Sequence, residues 1–165
     1  MPRLDLSAAP VKTGSIYPEP YAAQMAGRSS RRLGDLAGLT QFGVNLVTLE
    51  PGAVASLRHW HLREDEFAIV LSGELVLVED TGEVAMLPGD CAAWKAGVAN
   101  GHRFVNRSGR AASFLVVGSK APDEVTTYCD VDMKIHLGGA SPRITYHDGS
   151  DWAGPRDLAP KGDTE

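Results

Sequence analysis

Between residues 41 and 118 the chain is broken by a turn signal every few residues, a spacing that leaves room for short strands and for little else. The signals are Pro51-Gly52, Ser72-Gly73, Asp80-Thr81-Gly82, Pro88-Gly89-Asp90, Ala96-Gly97, Asn100-Gly101 and Ser108-Gly109. Glycine, proline, asparagine and aspartate supply the backbone angles and side-chain bonds that tight turns need. The runs between them, such as "FAIVLS" and "ELVLVE", are rich in β-branched residues and too short for packed helices. This reading predicts strands near 41–49, 54–61, 66–71, 74–79, 83–87, 91–94, 102–106 and 112–118, with a further edge segment near 143–147. Short strands so evenly spaced indicate an all-β sandwich or barrel.

The rest of the chain is organised around that block. With 165 residues, 43% apolar and 22% charged, the chain suits one domain with one packed core. Residues 1–38 are rich in Pro, Ala, Gly, Ser and Arg without sustained alternation, and read as an irregular N-terminal arm over the barrel; "AAQMAG" suits one helical turn. Residues 39–120 form the barrel core, and 121–165 a C-terminal extension ending in the Gly- and Pro-rich "GSDWAGPRDLAPKGDTE". The formal charge of -5 gives no general attraction to nucleic acid or to an anionic membrane. No apolar run reaches a spanning length and "MPRLDLSAAPVK" lacks a secretory segment, so a cytoplasmic location is expected. Cys91 and Cys129 lack CxxC spacing and read as reduced structural thiols.

Chemistry concentrates in "SLRHWHLREDEFAIVLSGELVLV", residues 56–78. Side chains alternate across a strand, so His59 and His61 project from one face about two strand rises apart, ~7 Å. The short turn "LRED" then brings Glu66, opening the next strand, back toward the same face as an anionic donor. A His-x-His pair on a strand is by itself weak evidence for a cation, since hydrogen-bonded half-buried or surface histidines explain it more often. The carboxylate at the right distance makes a metal site an equal alternative.

The wider pattern resembles the cupin superfamily. Its first motif is matched by Gly52, six residues, His59-Trp60-His61, four residues, Glu66, six residues and Gly73; its second by Gly82, five residues, Pro88-Gly89-Asp90, and later His102, three residues and Asn106. Two departures stand out: Lys95-Ala96-Gly97 replaces the usual Pro-Ala-Gly, and the gap from Gly97 to His102 is longer than the common pattern. The context "GLTQFGVNLVTLEPGAVASLRHWH" with "KAGVANGHRFVNRS" is similar to small bacterial single-domain cupins that carry a sugar-phosphate isomerase label.

The resemblance implies a cupin-type double-stranded β-helix, or jelly roll, in which His59, His61, Glu66 and His102 converge on one divalent transition metal. Three imidazoles and a carboxylate suit Mn, Fe, Co, Ni, Cu or Zn rather than Ca. Open coordination positions would take water or a bidentate substrate oxygen. The first expectation is therefore a metal-dependent isomerase or epimerase on a sugar or sugar phosphate, with Glu66 as the candidate base. An Fe- or Cu-dependent dioxygenase and a non-catalytic small-ligand binder are the alternatives, because fold does not choose among chemistries. A homodimer is expected on the same analogy.

Other residues are weighed against plainer roles. Lys95, at a strand end where the family pattern has proline, is a candidate contact for a substrate phosphate or carboxylate. Arg58 and Arg103 face away from their neighbouring histidines and read as exposed or ion-paired. Phe104 and Asn106 point inward as core and hydrogen-bonded support, and Trp60 packs on the opposite side of its strand. Glu64, Asp65, Asp130 and Asp132 read as turn or surface acids, and His136 and His147 as solvent-facing histidines.

Overall fold

The computed structural model describes residues 3–156 and 158. Thirteen strands are present among them: β1 (Lys12–Thr13), β2 (Arg28–Arg32), β3 (Phe42–Leu49), β4 (His59–His61), β5 (Glu66–Ser72), β6 (Leu75–Glu79), β7 (Gly82–Met86), β8 (Cys91–Trp94), β9 (Arg103–Val105), β10 (Ala112–Ser119), β11 (Val125–Tyr128), β12 (Lys134–His136) and β13 (Arg143–Thr145). The helical content is a four-residue helix, Leu33–Leu36, and 3-10 turns at Leu6–Ala8 and Ala22–Met25.

The strands form an antiparallel six-stranded sheet, β1-β2-β3-β10-β5-β8, with a four-stranded sheet β13-β12-β11-β4 and a three-stranded sheet β7-β6-β9. Isolated antiparallel bridges His59↔His102 and Val54↔Val105 join the two smaller sheets at β4 and β9. The chain is therefore a jelly roll of two layers. The inward side chains of both layers fill the space between them: Val47, Leu49, Val70, Leu75, Leu77 and Phe114 are all buried in one cluster. Gly73, in the β5–β6 turn, has φ +74°, and a Cβ there would fall 2.6 Å from the Cβ of Ala112. Only glycine satisfies both the left-handed angle and that approach.

The structure departs from the sequence-based expectations in three places. Residues 55–58 do not continue a strand before β4: Leu57 turns into a second apolar cluster, and its carbonyl accepts from the ring Nδ1 of His59 at 2.8 Å. The arm does more than cross the surface, because β2 pairs with β3 from Arg28↔Leu49 to Arg32↔Asn45 and widens the main sheet. Ahead of the expected edge segment, which is β13, the C-terminal segment contributes two strands the sequence reading did not place, β11 and β12, and β11 pairs with β4. Tyr21 and Met25 of the arm pack with Leu57, Tyr128, Met133 and Ile135 in the second cluster, so arm and extension lock together beside β4. The last part of the Gly- and Pro-rich tail lies outside the described residues.

Candidate metal centre

Strand alternation in β4 turns His59 and His61 toward the interior of the barrel and Trp60 to the other face. On one side β11 sets Tyr128 opposite His59 and Thr126 opposite His61. On the other, His102 faces His59 directly: the His59 N–H donates to the His102 carbonyl at 3.2 Å, and the His102 N–H donates back at 2.9 Å. Glu66 opens β5, paired between Gly118 and Trp94. Three separate stretches of chain thus deliver four side chains to one wall of a cavity of about 650 Å³.

Ring orientations follow from local bonds. The His59 Nδ1–H donates to the Leu57 carbonyl, which leaves the lone pair on Nε2. The His102 ring lies flat on Trp94, with centroids 3.8 Å apart and planes 9° from parallel. Trp94 is fixed in turn by its Nε1–H donating to Glu79 at 2.8 Å, an acceptor shared with the side-chain amide of Asn100 at 2.9 Å. That shared acceptor gives the long Val98–Gly101 loop its shape. At Gly101 a Cβ would stand 2.2 Å from the Sγ of Cys129, so the backbone reaches His102 only through glycine.

The donor atoms are spaced as ligands of one ion are. Two donors each ~2.1 Å from an ion, at angles between octahedral and tetrahedral, lie about 3.0–3.4 Å apart. Glu66 Oε2 stands 3.1 Å from His61 Nε2 and 3.4 Å from His102 Nε2. Donor atoms of His59, His61 and Glu66 all lie within 4.8 Å of one another; His102 joins this group through Glu66. The nitrogen and oxygen set, the free Nε2 of His59 and the close carboxylate fit a divalent transition ion.

Electrostatics agree with this geometry. Burial disfavours a charge on His59, and the neighbouring His61 and His102 add to that, lowering its pKa to about 3. Burial also opposes a charge on His61, but the carboxylates of Glu124, 3.4 Å from Nδ1, and Glu66, 3.1 Å from Nε2, prevail and raise its pKa to about 10. For Glu66, burial works upward, yet bonds to His102 and His61 hold the carboxyl well below the usual range.

Glu124 is the residue of this cluster that motif reading does not reach. It is fully buried, accepts the N–H groups of Leu62 and Arg63 at 2.8 Å each, and lies 3.4 Å from His61 Nδ1. A carboxylate behind a ligating histidine fixes the ring and raises its basicity. Glu124 sits 62 residues beyond Leu62 in an acidic stretch outside both motifs; the signal that could have found it is the β-rich "VTTY" that follows it. Glu64 differs from the sequence-based reading as well: its carboxylate lines the cavity, groups with His61 and Glu124, and accepts the Ala121 N–H at 2.8 Å. Burial raises its pKa.

The remaining candidates are placed as follows. Lys95 is exposed at the end of β8 and is not among the residues that line the cavity. Arg58 pairs with Asp80 and with Asp130 at 2.7 Å, and Arg103 approaches Asp130 at 3.9 Å. Asn106 is buried and donates to the carbonyls of Leu49 and Arg110 at 2.8 Å each, while Phe104 is core. Asp65 does hold a turn, accepting the Ala96 N–H at 2.8 Å. Asp132, expected at the surface, is buried, accepting the His147 N–H at 2.7 Å and pairing with Arg156. His147 and His136 are half-buried rather than solvent-facing, bonded to the Tyr128 carbonyl at 3.0 Å and the Thr145 hydroxyl at 2.9 Å. No disulfide joins Cys91 and Cys129.

A family model described as the cupin domain matches residues 45–118. Among solved structures, a sugar phosphate isomerase of the cupin superfamily from Silicibacter pomeroyi is 53% identical, with a TM-score of 0.90 over 92% of this chain and 97% of that one. A polyketide cyclase from Streptomyces resistomycificus is 26% identical, with a TM-score of 0.57 over 72% of this chain and 79% of that one. A structure from Acidithiobacillus ferrooxidans, 24% identical with a TM-score of 0.69 over 77% of this chain and 81% of that one, shares the fold. A comparison with curated proteins finds no match.

Proposed function

This chain belongs to the cupin family, and on that premise we propose that it is a metal-dependent isomerase acting on a small phosphorylated sugar. The observation that carries the reading is the cluster of His59, His61, His102 and Glu66 on one cavity wall, with a second carboxylate, Glu64, beside it. The sugar phosphate isomerase from Silicibacter pomeroyi, similar over nearly the whole chain, supports the substrate class.

His59, His61, His102 and Glu66 would hold one divalent ion. Such an ion polarises a carbonyl and its neighbouring hydroxyl and so makes the intervening C–H more acidic. The chain's own residues do the rest. Glu124 keeps His61 oriented. Glu66, held in its ionised form by two histidines, serves as a ligand and is a poor base. Glu64 is the better proton carrier, because burial lifts its pKa toward the range where a carboxyl both accepts and returns a proton. It takes the proton from the carbon next to the carbonyl and delivers it to the former carbonyl carbon, while the hydroxyl proton passes to the carbonyl oxygen. Buried Tyr128, 5.7 Å from His59 between ring centroids, lines the cavity as an apolar wall beside the histidines.

The test is proton exchange. In D2O, the Mn²⁺-loaded protein is expected to wash deuterium into a phosphorylated aldose or ketose at the carbon beside the carbonyl, read by proton NMR. Glu64→Gln should slow this by at least 100-fold while retaining the ion. Exchange that is absent from the wild type across such sugars, or unchanged in Glu64→Gln, overturns the reading.

A further inference from the structure

The cavity holds more positive charge than the metal ligands account for. Its lining includes the cations Lys12, Arg28, Arg32, Arg103 and Lys120, against only two acids, Glu64 and Glu66, both on the histidine side. Three of these cations come from the N-terminal strands. In the β1–β2 register Lys12 stands directly across from Ser30, and Arg28 and Arg32 lie two residues to either side of Ser30 on the same face. Neighbours of that kind are ~5–7 Å apart, so the three cations flank one hydroxyl on the cavity wall.

These charges lack the partners that surface cations usually have. Among the described residues neither Lys12 nor Arg28 pairs with a carboxylate, and the Nε of half-buried Arg28 is sealed from solvent with no hydrogen-bond partner. Arg32 meets Asp35 only at 3.8 Å. A sealed N–H of a guanidinium without an acceptor is unfavourable unless a ligand supplies one.

The cluster also lies within reach of the metal centre. Arg28 senses the phenol of Tyr17 electrostatically. The Tyr17 ring packs edge-on against Tyr128 at 5.3 Å, and Tyr128 stands 5.7 Å from the His59 ring. Arg28, Tyr17, Tyr128 and His59 all line the same cavity, so the cationic wall and the histidines face one space.

We propose that Lys12, Arg28 and Arg32, with the Ser30 hydroxyl, form an anion subsite that takes the phosphate monoester of the substrate while its carbonyl end faces the metal ligands. The orientation of the substrate rests on the isomerase reading; the anion subsite stands on the geometry of β1 and β2. Guanidinium groups match phosphate through paired N–H donors, and the lysine adds a point charge. The subsite gives the N-terminal arm a role in recognition.

Inorganic phosphate, titrated calorimetrically into the metal-free and the Mn²⁺-loaded full-length protein, tests this directly. Saturable binding is expected in both forms, weakened at least tenfold by Arg28→Gln and several-fold by Lys12→Ala, with metal content unchanged in both variants. Lys12 is exposed on a two-residue strand, so its variant decides the matter even where Arg28→Gln does not fold. A phosphorylated hexose should bind at least tenfold more tightly than the unphosphorylated sugar, an advantage lost in Arg28→Gln. Phosphate binding confined to the loaded form, or equal in wild type and variants, overturns the subsite. A wild type that retains no metal yet binds phosphate through Arg28 leaves the subsite standing and counts against the isomerase reading.

Discussion

The two rings of β4 differ in charge because of what stands behind each. His59 is held neutral by burial and by the neighbouring His61 and His102, whereas His61 lies between Glu66 and Glu124 and stays protonated up to about pH 10. An incoming cation must displace that proton. Calorimetry in buffers of different ionisation enthalpy should find about one proton released per ion, with affinity rising roughly tenfold per pH unit between about pH 7 and 9; pH-independent affinity contradicts the charge assignment. The sign for stability is opposite. Because the folded pKa of His61 is raised above the ordinary 6.5, its contribution in the metal-free protein is complete below 6.5 and is lost as pH rises through about 10. Melting curves of metal-free protein should therefore fall across that window more steeply than those of Glu124→Gln. The same variant should weaken metal affinity by about 10–100-fold while leaving the circular dichroism spectrum intact; unchanged affinity removes Glu124 from the site.

At the scale of elements, the turns decide the fold. Gly73 carries both a positive φ and a backbone approach that leaves no room for a methyl group. Gly73→Ala should cost about 3 kcal/mol in denaturant unfolding, from combined strain and overpacking, and a loss under 1 kcal/mol would show that the turn relaxes. The turn signals around Gly52, Gly73, Gly82, Gly89 and Gly97 made the strands from β3 to β10 legible in the sequence, since each supplies a left-handed angle between apolar runs. His59, His61 and Glu66 were legible for the same reason, lying on adjacent strands with one short turn between them. β13 matches the edge segment read near 143–147, whereas β1, β2, β11 and β12 were not legible. Their pairings reach segments far off in sequence, as in the pairing of Thr126 with His61 and of Arg28 with Leu49. Glu124 and Arg28 stayed hidden with the elements that bear them.

In the whole molecule the arm and the C-terminal segment meet in one apolar cluster, where Met25 and Met133 are both buried beside Leu57 and Tyr128. The candidate metal centre therefore rests on a second core as well as on the barrel. Met133→Ala should lower stability by about 2–5 kcal/mol and weaken metal retention with it, because Tyr128 and β11 hold β4 in place; a destabilised variant that binds metal as tightly as wild type would separate the two. The homodimer expected from the family resemblance is open to light scattering, where a species of twice the chain mass is anticipated. No described helix is long and apolar enough to cross a membrane. The most direct test of the account is an anomalous difference map from crystals of the Mn²⁺-loaded protein. It should show one peak about 2.0–2.3 Å from the Nε2 atoms of His59, His61 and His102 and from a Glu66 carboxylate oxygen. A peak among His61, Glu64 and Glu124 instead, or no peak at the four residues, would contradict it.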